Sequence, residues 1–242
     1  MKSIMQFPRF IHFFGPDGSG KTTQVKILVD FLQKKGVRVK KCWVRSPHTI
    51  AFVLWMILVK IGFYRVVLNP FDVPTKLPAI DRTRALRSFW TIVEFLGVLP
   101  IIWRVHISIL NGYRIVAERF VLDTIVTVAY FIDDFNFLRG SISRLLLRCI
   151  PKNTVFVFLD ADYHTIYRRR APLFGKKASL EGRRRNYGDI PTSAVEPQVF
   201  IEFQRTAYKI LAKSFDSLAI DTSKHSVEET SKMILRYLEI NQ

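Results

Sequence analysis

Residues 13–24 read FFGPDGSGKTTQ and place Gly15, Gly20, Lys21 and Thr22 at the spacing G-x-x-x-x-G-K-[ST]. The chemistry this spacing serves is phosphate binding. Glycines let consecutive backbone N–H groups converge on phosphate oxygens, and a helix starting just after them adds its positive dipole end. In this reading Gly15, Pro16, Asp17, Gly18, Ser19, Gly20, Lys21, Thr22 and Thr23 form the ATP-binding loop. Lys21 meets the β- and γ-phosphates, and the Thr22 hydroxyl ligates Mg²⁺. An ordinary glycine-rich turn is the plainer alternative, and context decides against it.

That context is a strand before the loop and a helix after it. FIHFF (10–14) is a short apolar run, while Val25, Leu28, Val29 and Leu32 recur at helical spacing. Further on, 37–45, 114–118, 154–159 and a segment ending at 220–222 read as strands. Helical patterns cover 49–67, 81–110 (with a bend at Pro100), 122–132, about 196–215, and a last stretch carrying Met233, Ile234, Tyr237 and Leu238 on one face. Alternating strands and helices predict an α/β fold, a five-stranded parallel sheet with helices on both faces. A basic, Gly-containing stretch at about 168–195 reads as a mobile lid on a single domain, 1–242.

With 242 residues, 49% hydrophobic and 24% charged, the chain is globular rather than disordered. Its two cysteines, Cys42 and Cys149, build no disulfide framework and fit a reduced, cytoplasmic protein. The opening residues MKSIMQFPRF contain no signal-peptide pattern. Ile50–Leu68 is the segment closest to a membrane span, but Lys60 and Arg65 interrupt it, so a buried or interfacial helix is expected.

The formal charge of +17 attracts polyanions. Residues 34–45 hold six Lys/Arg and no acid; a solvated face explains them, with an anionic membrane surface as the alternative partner. Residues 168–185 hold eight Lys/Arg against Glu181. Aromatic interleaving is absent there, which disfavours nucleic acid.

Taken in order, these segments resemble the thymidylate kinase family of P-loop nucleoside monophosphate kinases, over nearly the whole chain apart from 48–80. Asp17–Gln24 reproduces the family's loop, and Arg45-Ser46-Pro47 stands where the family has an Arg-Glu-Pro-like turn facing the acceptor. Glu118-Arg119-Phe120, six residues after Gly112, matches the family's Asp-Arg-Tyr/Phe. Leu159-Asp160 leading to Arg168-Arg169-Arg170 matches its LDxx strand and Arg-bearing helix. Glu196 to Arg205 and Ile220 to Ser223 match its closing pattern.

The resemblance implies MgATP-dependent phosphoryl transfer to a phosphorylated small molecule, with a homodimer as one assembly. It implies Asp17, Lys21, Glu118, Arg119 and Arg169 as the catalytic set, Arg169 serving as the lid arginine. Arg45, Arg119 and Asp123 would bind the acceptor; Thr22 and Glu118 would hold Mg²⁺, partly through water. Asp160 reads as a structural group, and a strand-end ion pair is the plainer account of Glu118-Arg119.

Two departures matter. The family's long helix carries a Phe that stacks on thymine and, four residues later, an Arg; counting back through Gly112 puts Val93 and Gly97 there. Neither side chain can do that work. The apolar segment Ile50–Leu68 also exceeds what a nucleotide pocket needs. Besides a nucleotide kinase, two readings therefore stand: a kinase for an apolar, membrane-borne acceptor, and a non-catalytic ATP-binding protein.

Overall fold

The computed structural model describes residues 7–43, 50–68, 74–170 and 198–240. Five strands form a parallel sheet: β1 (Phe10–Phe14), β2 (Val39–Trp43), β5 (Arg114–Glu118), β6 (Val155–Asp160) and β7 (Ser217–Asp221). Their order is β2-β5-β1-β6-β7, so β1 lies in the middle. The register sets Phe13 beside Glu118 on one side and Val157 on the other. The predicted five-stranded parallel sheet is therefore present.

Side chains alternate across the sheet because successive Cβ atoms point to opposite faces. Ile11 and Phe13 of β1 pack with Val25, Leu28 and Leu32 of α1 (Lys21–Lys34) and Ile234 and Leu238 of α8 (Val227–Ile240). Phe10 and Phe14 face the other way, into a core with Val98 and Ile102 of α3 (Arg84–Leu110). The same core takes residues from α4 (Val121–Phe131), Leu146 of α5 (Ser141–Arg148) and Tyr208 of α7 (Gln198–Ala212). Helices cover both faces. A helix at 163–170, α6, follows β6.

Local chemistry fixes the ends. Thr83 caps α3, its Oγ1 accepting from Leu86 N at 3.2 Å. Ser226 and Glu229 form a reciprocal capping box on α8, at 3.1 Å and 2.8 Å. Helix α3 passes through Pro100 without ending, and Asn111 and Gly112 close it.

Two segments differ from the sequence expectation. The helical pattern at 49–67 gives a shorter helix, α2 (Ile50–Lys60), and then a strand, β3 (Tyr64–Leu68). Gly62 at φ 84° ends the helix. The β-favouring run Tyr64-Arg65-Val66-Val67 then pairs antiparallel with β4 (Pro74–Pro78). Helix α5 was not anticipated from the sequence. Among the described residues, the helix long and apolar enough to cross a membrane is α3, not the segment 50–68.

Candidate active site

The ends of four strands meet at the phosphate loop, where open α/β sheets place their ligands. β1 leads into Gly15–Gly20, β5 delivers Glu118 and Arg119, β6 ends at Asp160, and β7 leads into Thr222. Gly15 sits at φ 139°, and a Cβ there would lie 2.0 Å from Leu159 O. Only glycine fits this approach of loop to strand.

Lys21 is buried at the first turn of α1. Its Nζ donates to Gly15 O at 2.6 Å and Pro16 O at 2.7 Å, and lies 3.9 Å from Asp17 Oδ1. The ammonium is thus held over the loop rather than extended into solvent. Beside it the Thr22 hydroxyl donates to Glu118 Oε1, while Glu118 Oε2 meets Lys41 Nζ at 2.9 Å.

Arg119 follows β5 in the left-handed region, φ 61°. Non-glycine residues rarely adopt it, and such strain clusters at functional sites. Its guanidinium pairs with the buried carboxylate of Asp17. Asp17 N donates to Gln204 Oε1 at 3.3 Å, so α7 also braces the loop.

Asp17, Gly18, Ser19, Gly20, Lys21, Thr22, Thr23, Glu118, Arg119 and Arg169 all line one cleft of about 510 Å³. Gly15 and Pro16 act beneath it through their carbonyls. Arg169, on α6, donates to Thr222 O at 2.7 Å, Thr222 Oγ1 at 3.0 Å and Gly18 O at 3.3 Å. It ties the loop to the end of β7 at the cleft wall.

Asp123 is not among the residues lining this cleft. It is buried on α4 and accepts from Tyr208 Oη at 2.5 Å. Asp160 is structural, pairing with Arg205 at 3.0 Å and Lys209 at 3.1 Å. Arg45, Glu196 and the lid residues 171–195 lie outside the described residues.

Sequence reasoning missed four contributors. Thr222 and His225 line the cleft from the loop after β7, Gln204 braces Asp17, and Lys41 meets Glu118. The Ile220–Ser223 match carried a signal for Thr222. Lys41 lay in a basic window read as a solvated face.

The donor set fits Mg²⁺. A hydroxyl and a carboxylate meet at the loop's end, and this ion takes few protein oxygens, filling its shell with water and phosphate. Among the described residues no cluster of three or more His, Cys, Asp or Glu forms a closed metal cage. Two buried groups outside the cleft lining have strongly shifted pKa values. Desolvation raises Glu94, on α3, to about 7, and lowers His12, on β1, to about 3.

No family model matches the sequence, and no curated protein matches it. A solved structure does. Thymidylate kinase from Candida albicans superposes with a TM-score of 0.56 over 97% of this chain and 92% of that one, at 17% identity. The fold is thymidylate-kinase-like. The structure of the Candida albicans enzyme reveals the origin of its broad substrate specificity and a novel structural element. Within the thymidylate-kinase-like fold of this chain, Gly97 is buried in the inward face of α3, and Val93 packs with Trp90 and Phe131.

Proposed function

We propose that this chain transfers the γ-phosphoryl group of ATP to a phosphorylated small molecule of the nucleoside monophosphate class. The observation that carries the reading is the gathering of Lys21, Asp17, Arg119 and the Thr22–Glu118 pair around one cleft at the mouth of a phosphate loop. In the transfer an acceptor oxygen bonds to the γ-phosphorus as the bond to the bridging oxygen breaks and ADP leaves. Charge spreads over the equatorial oxygens, so positioning and fixed counter-charge dominate the catalysis.

Each residue has a part. Lys21 swings from its carbonyl partners onto the donor phosphates. Arg119, held near the loop by Asp17, bridges donor and acceptor oxygens. Asp17 orients the acceptor, and Arg169 supports the loop from the cleft wall. Mg²⁺ held by Thr22 and, through water, Glu118 would neutralise charge on the donor phosphates. Arg45 and residues 171–195 supply further acceptor and lid contacts in this reading, in a reducing cytoplasm that suits Cys42 and Cys149.

The test is ADP formation from MgATP across a panel of nucleoside monophosphates, nucleosides and polyprenyl acceptors, with Lys21→Ala as control. Acceptor-dependent turnover by the wild type alone supports the reading. Turnover only with a polyprenyl acceptor would transfer it to the membrane-borne alternative. No acceptor-dependent turnover, with ATP still bound, would leave a non-catalytic ATP-binding protein.

A further inference from the structure

Parallel strands all start at one end of their sheet, and in this chain that end is basic. Arg38 precedes β2, Arg114 opens β5, Arg9 precedes β1 and Lys152 lies shortly before β6. These four strands are consecutive in the sheet, and Asp216 before β7 ends the row. Pairing brings the strand starts together: Arg114 N donates to Arg38 O at 2.7 Å, and Ile115 N to Arg9 O at 2.9 Å. At about 4.8 Å per strand, the row spans about 14 Å. A fifth cation, Lys40, follows on β2. Arg114 is half-buried, and the other four are exposed.

No carboxylate neutralises this row. Among the described residues, none of the five cations forms an ion pair. Burial, and then the neighbouring Arg9, push the Arg114 guanidinium below its ordinary pKa, as like charges held together do. Arg38 Cζ lies 4.5 Å and Lys40 Nζ 3.8 Å from the centre of the Tyr113 ring. A ring that holds two cations fixes their positions. Aromatic interleaving, absent from the basic run 168–185, is supplied here across two strands.

Alternation along the strands decides the shape of the surface. Arg9 and Arg114 belong to the sheet face of Ile11 and Val116, while Arg38 and Lys40 belong to the opposite face, with Cys42. The cations therefore wrap a rim. A flat bilayer cannot meet both faces of a rim, whereas a single flexible chain of phosphates can.

We propose that this rim binds the phosphodiester backbone of single-stranded nucleic acid, without reading its bases. Neutralisation of phosphates by Lys and Arg is independent of sequence and releases counterions. The rim is separate from the phosphate loop, since β5 runs about 13 Å from Arg114 to Glu118 at the cleft. The inference stands apart from the phosphoryl-transfer reading.

The experiment is fluorescence anisotropy of labelled oligothymidylate and oligoadenylate, each about 20 nucleotides, titrated with the full chain across a salt series. We expect the two to bind alike, with log K falling on log salt at a slope between about −2 and −3.5, which is three to five phosphate contacts. Arg38→Gln/Lys40→Gln should make the slope shallower by about 1.4, with the circular dichroism unchanged. Lys26→Gln/Lys232→Gln, which removes the same charge from exposed positions on α1 and α8, should leave it unaltered. Should the rim variant not fold, Arg9→Gln, outside the strands, should shift the slope by about 0.7. Four results overturn the proposal. One is no binding to either oligonucleotide. The second is an equal slope change in the rim and control variants, or none in Arg9→Gln, which would assign binding to the overall charge. The third is full displacement by inorganic tripolyphosphate at equal phosphate concentration, which would make the rim a small-anion site. The fourth is preferential binding to phosphatidylglycerol vesicles that the rim variant loses, which would give the rim to a bilayer.

Discussion

Arg119 leaves β5 in a left-handed backbone conformation, φ 61°, and from there its guanidinium pairs with the carboxylate of Asp17 in the phosphate loop. The strained residue and the loop thus share one charged contact at the cleft. Asp17 is almost wholly shielded from solvent, so the pair is less screened than a surface pair. Arg119→Lys keeps the charge but loses the planar fork. We expect a fall in kcat of about 10²-fold for Arg119→Lys, and 10²–10³-fold for Asp17→Asn, in steady-state turnover with the active acceptor. Near-wild-type rates in both would remove the pair from the mechanism.

Lys21→Ala removes the fixed counter-charge on the donor phosphates, and its expected cost is about 10²–10³ in kcat at saturating MgATP. The thermal midpoint should stay close to wild type, because the contacts of Lys21 Nζ to Gly15 O, Pro16 O and Asp17 are local to the loop. Loss of turnover together with loss of folding would show that the lysine is structural.

In the proposed reading Lys41 would compete with Mg²⁺ for Glu118. Its ammonium is 2.9 Å from Oε2, and its side chain is 39% exposed, so the pair is weakened by solvent. Lys41→Met should lower the Mg²⁺ concentration for half-maximal turnover by about two- to fivefold. A rise instead would place Lys41 on a phosphate rather than on the metal carboxylate.

Stability should bend with pH in two opposite senses. His12 has its pKa lowered to about 3, so the unfolded chain binds the extra proton and stability falls as pH drops through 6.5 toward 3. Glu94 has its pKa raised to about 7, so the folded chain holds the proton and stability falls as pH rises from 4.5 to 7. The full swing is about 5 kcal/mol for His12 and about 3 kcal/mol for Glu94. Denaturant midpoints measured across pH 4–8 should lose the acid-side slope in His12→Phe and the neutral-side slope in Glu94→Gln. Unchanged slopes would show both groups reaching water in the folded state.

Thymidylate should be a poor acceptor. Val93 packs with Trp90 and Phe131, and Gly97 has no side chain to offer, where the family has its stacking Phe and acceptor-binding Arg. Losing a stack and a charge-assisted contact costs about 2–4.5 kcal/mol. A kcat/KM for thymidylate of 10⁴ M⁻¹s⁻¹ or more, the range of good enzymes, would refute this.

The phosphate loop and the five sheet strands were legible because each signal is local: a glycine spacing, an apolar run, an amphipathic period. The β3–β4 hairpin was not, since Tyr64–Leu68 continues an apolar stretch that α2 begins, and pairing with Pro74–Pro78 depends on contacts distant in sequence. Lys41 read as one cation among six, and only the β2–β5 register, which sets Trp43 beside Glu118, brings that stretch to the site. Gln204 and Tyr208 gave no motif at all. Their roles arise because α7 packs against α4 and reaches the loop.

Thr222 Oγ1 lies 3.0 Å from both Ser19 O and Asp160 O, and Arg169 donates to it. Synthesis runs from N- to C-terminus, so the glycine loop is made before every element that follows it. Its underpinning arrives some 200 residues later, with the strand that precedes Thr222. A nascent chain therefore carries the phosphate-binding segment through some 200 residues of synthesis without the group that fixes its floor. A chain cut short at residue 216 would hold the full motif together with Gln204 and Arg169, but would lack Thr222 beneath it.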